Sequence, residues 1–403
     1  MDAITPADRA FLQMPTPPVT GFFLDFIGSP PAQETWARRI LDRAGTIPTL
    51  LHTPPAPRDR TWTSRAEPLC PDTHLHHHPL PTRPHALSDA CETLLARPLP
   101  PAPHPPWDIH LLTQPSTPER FRVALRIHHG HQDGVGAAHT AIALLCDTPT
   151  AGPHAHPAQR PRSTTTLAAG LRLAAPLLRP DPARPVLRAA LGGTNGPQWD
   201  YKDIPLTRLR ALADAHHCTV NDVCLAALAL ALRALLPQTT SRPPHLLMAL
   251  STRRPDQSHA PGNHVGAHRL LLPTTATTLP AALTAIRQQT AALRRDHVRD
   301  AQRRLLTLRR PLSPSPRLLR TLLGPHLYPL ATSSITFPNA LTCFDARLEA
   351  ASMFLTVGPY SPVYLSITRT LDTVRCTAIA DAPRRNAMAL PQHWKHALAN
   401  HPC

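Results

Sequence analysis

The chain has 403 residues, enough for two domains of ordinary size, and its hydrophobic content of 42% permits buried cores. The formal net charge of +16 comes almost wholly from arginine, yet there is no basic cluster interleaved with aromatic residues, so we expect no nucleic-acid partner. No CxxC pair, apolar leader or uncharged apolar window of about 18 residues occurs, which predicts a cytoplasmic protein without a transmembrane helix.

Residues 1–150 are predicted to form an N-terminal domain. After a proline-punctuated entry over residues 1–20, the apolar segment Phe22–Ile27 predicts a buried strand. The following segments are predicted to be a helix, a strand, a helix and a strand, over Thr35–Ala44, His74–His78, residues 86–97 and Trp107–Thr113.

The alternating histidines His74, His76 and His78 raise the question of a metal site. Zinc sites draw their ligands from well-spaced elements, usually with a second cluster of Cys or His. No CxxC or HExxH partner is present, and the alternation fits a strand that leads to Pro79. We therefore expect no metal ion and no cofactor.

The segment Ile127–Gly134 carries the pattern HHxxxDG between two predicted elements. Alternating apolar residues over Phe121–Ile127 predict a half-buried strand, and the small, apolar segment Val135–Cys146 predicts a helix. A histidine-rich turn is the alternative in a chain with 25 histidines, but the whole pattern rarely falls between a strand and a helix by chance. Because histidine titrates near neutral pH, His129 is the candidate general base, with a lesser role for His128.

Asp133 and Gly134 follow at the predicted start of the helix. There the carboxylate can accept backbone N–H bonds and favour the positive end of the helix dipole. Gly134 and Gly136 allow other backbone or a ligand to come close. We predict that Asp133 also forms a buried ion pair with Arg253 or Arg254, which would join the motif loop to the second domain.

Residues 151–190 are predicted to be a proline- and alanine-rich linker with a crossover helix, and residues 191–403 to be the C-terminal domain. Thr219 and Asp222 are spaced like a capping box, which predicts the start of a buried apolar helix that extends to Leu236. The remaining predictions are strands over His245–Leu250, 364–368 and 374–380, a loop running into a strand over 262–272, and helical structure over 276–323.

The HHxxxDG pattern resembles the signature of the CoA-dependent acyltransferase superfamily, and the chain is most similar to its bacterial wax ester synthase/diacylglycerol acyltransferase family. The opening ITPADRAFL resembles that family's LSPxDAxFL. HHxxxDG and this opening are two of six motifs that occur in the family's order. The other four resemble PLWxxxL at Pro106–Leu111, LNGP…vraiA at Asn195–Ala213, aTvNDvvLA at Thr219–Val223 and GNxv at Gly262–Gly266.

The resemblance implies two chloramphenicol-acetyltransferase-like α/β sandwich domains with mixed sheets and an active-site channel at their interface. It implies transfer of a fatty acyl group from acyl-CoA, a substrate rather than a cofactor, to the hydroxyl of diacylglycerol or a long-chain alcohol. His129 would take the hydroxyl proton and return it to the CoA thiolate. Asn221 and Asn263 are carried over as substrate-binding residues, although an ordinary polar residue early in a helix is the alternative for Asn221.

One segment departs from the family pattern. Residues Ser333–Pro338 stand where the family has SNVPGP, without the Asn, the second Pro and the Gly. This departure favours an alternative function, a secondary-metabolism acyltransferase that acylates a natural-product alcohol or amine from CoA or a carrier protein. A third hypothesis is a non-catalytic binding protein of the same fold, against which the intact motif argues.

The arginine excess has two interpretations. An Arg-rich stretch over Arg287–Arg310 and an apolar helix over Leu167–Leu178 predict peripheral contact with an anionic membrane. The alternatives are a GC-rich coding bias, which favours Arg, Ala, Pro and His together, and a crossover helix that packs between domains.

Overall fold

The computed structural model describes residues 3–65, 68–148, 177, 179–191, 197–237, 242–257, 260–306, 315, 317–319, 330–338, 340–356, 363–381 and 385–399. The helices in these ranges are α1 (Pro6–Leu12), α2 (Gln33–Ala44), α3 (Pro48–Leu51), α4 (Pro71–His74), α5 (Ala86–Ala96), α6 (Gly134–Leu145), α7 (Arg184–Leu191), α8 (Leu206–Ala215), α9 (Val220–Leu235), α10 (Leu279–Arg295), α11 (Val298–Leu306) and α12 (Arg385–Ala399). The strands are β1 (Val19–Ile27), β2 (Leu75–Pro79), β3 (Trp107–Thr113), β4 (Arg120–His128), β5 (Pro197–Pro205), β6 (His245–Ser251), β7 (Val265–Leu271), β8 (Leu330–Thr336), β9 (Thr342–Cys343), β10 (Ala346–Leu355), β11 (Val363–Arg369) and β12 (Thr373–Asp381).

The first sheet is built around β1, which is buried along almost its whole length. Its strand order is β2-β3-β4-β1-β10-β9, with β2 parallel to β3 and the other pairs antiparallel. A central strand with both faces covered is expected to carry such a continuous apolar run. The predicted strands over Phe22–Ile27, Trp107–Thr113 and Phe121–Ile127 are confirmed as β1, β3 and β4.

The second sheet has the order β5-β12-β11-β8-β6-β7 and is also mixed, since β6 is parallel to β8 and antiparallel to β7. Helix α9 lies in the hydrophobic core that is formed with the strands of this second sheet. The predicted capping box is present, because the Thr219 hydroxyl accepts from the Asp222 N–H and the Asp222 carboxylate accepts from the Thr219 N–H. The two mixed sheets with their helices confirm the predicted α/β class.

The chain divides into two units, each made of three segments. The first comprises Met1–His156, Arg253–Asn263 and Ile335–Thr356, and the second comprises the three stretches between and after them, Pro157–Thr252, His264–Ser334 and Val357–Cys403. Strand β10 belongs to the first unit because it pairs with β1 from Thr20 to Ile27. The predicted division into 1–150, 151–190 and 191–403 is continuous in sequence, so it places Arg253–Asn263 and Ile335–Thr356 in the C-terminal domain and not with residues 1–150. The channel that we expected between domains stays a prediction.

Several sequence predictions need correction. The proline-punctuated entry contains α1, which begins with Pro6 at its first position and is capped by a reciprocal Thr5–Asp8 box. His74 ends the short helix α4 rather than alternating within β2. The helical region predicted over 276–323 is α10 and α11 as far as Leu306, and residues 307–314 lie outside the described part of the chain, as does most of Leu167–Leu178.

Among the described helices, none is by itself both long and apolar enough to cross a membrane. By length and composition alone, one pair passes that test together, namely α8 and α9, which meet at a bend of 95°.

Candidate active site

His129 directly follows β4, the strand that pairs with β1 in the first sheet. Its backbone is held from two sides, because its N–H donates to the Pro18 carbonyl at 2.7 Å and its carbonyl accepts from Asn263 Nδ2 at 2.8 Å. Its ring stacks on Phe11 of α1, with centroids 4.0 Å apart and planes 12° apart. The side chain is therefore fixed by the sheet, by a helix and by a distant loop.

Asp8 and Asn263 form the hydrogen-bonded support behind this backbone. The Asp8 Oδ1 accepts from the Asn263 N–H at 2.6 Å and from Asn263 Nδ2 at 3.2 Å, and the same Nδ2 donates to the His129 carbonyl. Both side chains are buried. Burial raises the pKa of the Asp8 carboxyl to about 6, although its hydrogen bonds with Thr5 and Asn263 oppose the shift.

The surroundings of His129 keep its ring neutral. Burial is the largest influence and lowers the pKa of His129, while its own backbone carbonyl, the Asp133 charge and Asn263 act in the opposite direction. Nδ1 is enclosed and has no hydrogen-bond partner of good geometry among the described residues. A neutral imidazole at neutral pH retains a lone pair that can take a proton.

The other two histidines of the motif turn have different surroundings. The Gly130 N–H donates to His128 Nδ1 at 2.9 Å, so this ring nitrogen stabilises the turn. Burial together with His129 lowers the pKa of His128 to about 4. His131 is buried between His128 and Trp62, with ring centroids 5.7 and 4.7 Å away, and burial lowers its pKa well below the usual value. All three rings are neutral at neutral pH.

Asp133 caps α6 and binds an arginine. Its Oδ1 accepts from the Gly136 N–H at 2.8 Å, as predicted for a residue at a helix start. The Arg253 Nε lies 3.1 and 3.2 Å from its two oxygens. Arg254 is exposed, so Arg253 is the arginine that makes this contact. Arg253 belongs to the first unit, and the predicted link to a second domain is therefore wrong for this pair.

Arg253 also organises the returning loop on which it lies. Its Nη1 donates to the carbonyls of Gln257 and Ala260, and its Nη2 donates to the carbonyl of Gly262. The Gly262 N–H in turn donates to the His131 carbonyl at 2.7 Å. One guanidinium thus fixes the start of α6 and the loop that carries Asn263.

Two glycines make room for these contacts. A Cβ on Gly134 would lie 2.2 Å from Met353 Cε of β10, and a Cβ on Gly136 would lie 2.6 Å from Arg253 Nη2. At both positions a neighbouring side chain would have to move. Met353 Cε ends a flexible side chain that can shift, whereas the Arg253 guanidinium is fixed by the carbonyls of Ala260 and Gly262, so Gly136 is the more strictly required glycine.

Asn221 and the segment Ser333–Pro338 were the other candidates from the sequence. Asn221 is half-exposed at the second position of α9, in the second unit, and its predicted substrate-binding role stays a prediction. In the segment that departs from the family pattern, Phe337 belongs to the first unit, is buried and packs edge-on against Phe22 of β1 at 5.2 Å.

Sequence reasoning missed the support of His129. Phe11 and Asp8 lie within the ITPADRAFL segment, which resembles a family motif. A helix signal was available there, since Thr5-Pro6 followed by Asp8 has the spacing of an N-cap, a first-turn proline and a capping-box carboxylate. No local signal places this helix beside the motif turn, because that contact depends on the tertiary fold.

Comparison with known proteins finds a family match in the first half of the chain. Residues 6–195 match the wax ester synthase/diacylglycerol acyltransferase catalytic domain. No curated protein matches the sequence at a significant level.

Solved structures of similar architecture cover almost the whole chain. The wax ester synthase/diacylglycerol acyltransferase from Marinobacter aquaeolei VT8 superposes with a TM-score of 0.62 at 19% identity, over 99% of this chain and 98% of that one. The first condensation domain of the CDA synthetase gives 0.65 at 17% identity, over 98% and 91%. A mutant starter condensation domain of rhizomide synthetase, in complex with C8-CoA and Leu-SNAC, gives 0.64 at 16%, over 98% and 93%. These likenesses confirm the two-domain, chloramphenicol-acetyltransferase-like fold.

Proposed function

We propose that this chain, whose residues 6–195 match the wax ester synthase/diacylglycerol acyltransferase catalytic domain, is an acyltransferase of the HHxxxDG superfamily that moves a fatty acyl group from acyl-CoA to a hydroxyl acceptor. The acceptor is diacylglycerol or a long-chain alcohol, and the product is triacylglycerol or a wax ester. The single observation that carries this proposal is the buried, rigidly held imidazole of His129 in an intact HHxxxDG turn.

His129 acts as the general base in this scheme. Because Nδ1 is enclosed, we assign the accepting lone pair to Nε2. The imidazole takes the proton of the acceptor hydroxyl as the oxygen attacks the thioester carbonyl. The carbon–sulfur bond then breaks, and the imidazolium returns the proton to the departing thiolate, which leaves as free CoA. The thioester is already activated, so placement of base and substrates supplies much of the catalysis.

The roles of the neighbouring residues follow from their contacts. Asp133 is engaged by Arg253 and by the Gly136 N–H, which suits a structural role better than a part in the proton transfer. Asn263 uses its Nδ2 to hold the His129 carbonyl, so we propose that it positions the base and that its Oδ1, which is buried without a partner in the described residues, contacts substrate. Asn221 remains our second candidate for substrate contact.

A second candidate function is favoured by two observations. The segment Ser333–Pro338 departs from the family pattern, and Phe337 of that segment is packed into the unit that carries the motif. Condensation domains are as similar in fold as the wax ester synthase, and one of them is in complex with C8-CoA. These support an enzyme that acylates a natural-product alcohol or amine from CoA or a carrier protein.

We also propose weak peripheral contact with anionic membranes. Of the arginines in the Arg-rich stretch, Arg287, Arg294 and Arg295 are exposed, whereas Arg303 is directed inward and donates to the Thr252 carbonyl. The exposed three are available to anionic headgroups, which attract basic side chains near the surface. Such contact would bring a poorly soluble acyl acceptor to the enzyme.

A substrate screen tests the proposed reaction. Acyl-CoA of several chain lengths, or an acylated carrier protein, is incubated with a long-chain alcohol, diacylglycerol or an amine, and the released thiol and the acylated product are measured. We expect product with the alcohol or diacylglycerol, and none in a His129→Ala protein that melts like the wild type. Turnover only with the amine or only with an acylated carrier protein would support the second candidate. Absence of product in every combination, with the protein folded, would favour the non-catalytic binding protein.

A further inference from the structure

A group of three histidines lies on the edge of the first sheet, away from the HHxxxDG turn in sequence. His76 and His78 alternate on β2, so their side chains share one face of that strand. β2 is parallel to β3, and His110 of β3 is the register partner of His76. The His110 ring centroid lies 4.6 Å from that of His76 and 5.2 Å from that of His78.

Two pairs in this group have ligand atoms close together. His78 Nε2 lies 2.9 Å from His110 Nδ1. Ligand atoms of His76, His110 and Asp108 all lie within 4.8 Å of one another. Two nitrogens bound tetrahedrally to one zinc ion, each at about 2.1 Å, are about 3.4 Å apart. Because the ring centroids of His76 and His78 are 6.3 Å apart and both rings stack on His110, a shared ion would replace the His78–His110 contact and turn the rings toward itself.

Asp108 and Arg126 stand behind His110. His110 Nε2 lies 3.1 Å from Asp108 Oδ1, which orients the ring so that Nδ1 is directed toward His78. Histidines that bind metals usually direct their other nitrogen to a carboxylate in this manner. Arg126 is paired with both Asp108 oxygens, at 2.7 and 2.5 Å, and balances that charge. The carboxylate is thus an orienting group, since a cation on it directly would be repelled by the guanidinium.

The site is open to solvent on one side. His76 and His78 are half-exposed, which leaves a path for an ion and a water ligand from solvent. Three imidazoles with one open position are an established ligand set for zinc.

We propose that His76, His78 and His110 bind one divalent transition-metal ion of the zinc class, with Asp108 orienting His110. Imidazole ligands suit zinc, nickel and copper rather than magnesium or calcium. The ion would join the edge strand β2 to β3 and would take no part in the acyl transfer. The sequence raised His76 and His78 as possible ligands but not His110, because His110 is more than thirty residues from His76 and joins it only through strand pairing.

The test uses the full chain without a polyhistidine tag. After treatment with EDTA and its removal, Zn²⁺ is titrated by calorimetry and Co²⁺ by visible absorption, and the melting temperature is measured with and without Zn²⁺. We expect saturable binding of one ion per chain, a tetrahedral Co²⁺ spectrum and a higher melting temperature with Zn²⁺.

Two variants and a matched control complete the test. His78→Ala changes a half-exposed side chain and should abolish the one-to-one binding, and His110→Ala should do the same if that variant folds. His77→Ala is the control, because His77 lies on the same strand but is bonded to Thr113 instead. The proposal is overturned if the wild type shows no saturable binding, or if His78→Ala binds metal as tightly as His77→Ala. The latter result would show adventitious binding to scattered histidines.

Discussion

The Arg253 guanidinium lies within hydrogen-bonding distance of both oxygens of Asp133, its Nε being 3.1 Å from Oδ1 and 3.2 Å from Oδ2. Both side chains are almost fully buried, with exposures of 0% and 5%. A buried ion pair contributes little compared with an apolar pair of the same shape, but loss of one partner leaves a buried, unpaired charge. The pair therefore makes the motif turn sensitive to changes in a loop about 120 residues later.

Asp133→Asn should lower the melting temperature together with activity. Asn keeps an oxygen that can accept from the Gly136 N–H, so the variant removes the charge and retains the helix cap. Leaving Arg253 buried without its counter-charge is expected to cost about 3–5 kcal/mol. Arg254→Ala, at the exposed neighbouring position, is the control and should leave stability unchanged. Lost activity at unchanged melting temperature would instead assign Asp133 to the chemistry.

His129→Ala should lower the rate constant of CoA release by about 10²–10⁴-fold, since that is the usual contribution of a general base. His128→Ala should be less damaging, and His128→Asn less damaging still, because an Asn oxygen can accept the Gly130 N–H in place of Nδ1. Steady-state kinetics on proteins checked for folding measure all three. Near-normal turnover in His129→Ala would show that the assigned base is wrong.

Gly136→Ala should destabilise the protein although it adds a single methyl group. The new Cβ would lie 2.6 Å from Arg253 Nη2, and that guanidinium is fixed by the carbonyls of Ala260 and Gly262. Overpacking of this kind typically costs about 1–3 kcal/mol. Gly45→Ala is the matched control, because Gly45 has a helical φ of −61° and its Cβ would have only ordinary contacts. Equal melting temperatures for the two variants would contradict the prediction.

The contribution of Asp8 to the stability of the folded protein should fall as the pH rises from about 4 to about 6. The folded-state pKa of Asp8 is about 6, above its ordinary value of 3.8, so between these values the folded chain holds a proton that the unfolded chain has released. Over this window the Asp8 contribution to stability falls by about 3 kcal/mol.

The measurement for Asp8 is the difference in melting temperature between wild type and Asp8→Asn at several pH values. We expect the wild type to lose stability relative to the variant from pH 4 to pH 7, whereas the exposed-site control Asp72→Asn should follow the wild type throughout. A constant difference between wild type and Asp8→Asn across the window would show that Asp8 is ionised in the folded protein even at pH 4.

Vesicle sedimentation should detect binding to anionic lipid at low salt and little binding to neutral lipid. Each well-placed arginine contributes about 1 kcal/mol near the surface, and salt screens it. Replacement of Arg287, Arg294 and Arg295 by Gln should therefore release the protein. If the arginine excess is only coding bias, the wild type will stay in the supernatant with both lipids at low ionic strength.

The sequence predicts those helices and strands that depend on residues close together in the chain. Phe22–Ile27 is an apolar run long enough to indicate a buried strand, and the alternation before His128 together with the small apolar residues after Gly134 places the motif between β4 and α6. β10 was missed although Arg347 and Glu349 alternate with buried residues, and that strand completes the sheet next to β1.

What the sequence could not give depends on contacts between distant segments. Arg253 and Arg254 have the same chemistry and adjacent positions, and only the fold decides which is directed toward Asp133. Asp8 supports His129 through Asn263, and these three residues span more than 250 positions in the chain. Strand register likewise brings His110 beside His76, which no spacing rule predicts.

The first unit consists of three separate segments of the chain, so it can be completed only late in translation. While a ribosome has released only residues 1–195, the nascent chain contains the whole HHxxxDG segment, but β1 has no β10 beside it and Asp133 has no counter-charge. Unpaired strand edges and exposed apolar surface favour aggregation at that stage. The motif can reach its final geometry only after translation has passed Thr356, so an isolated N-terminal fragment should depend on chaperones and should lack a properly supported His129.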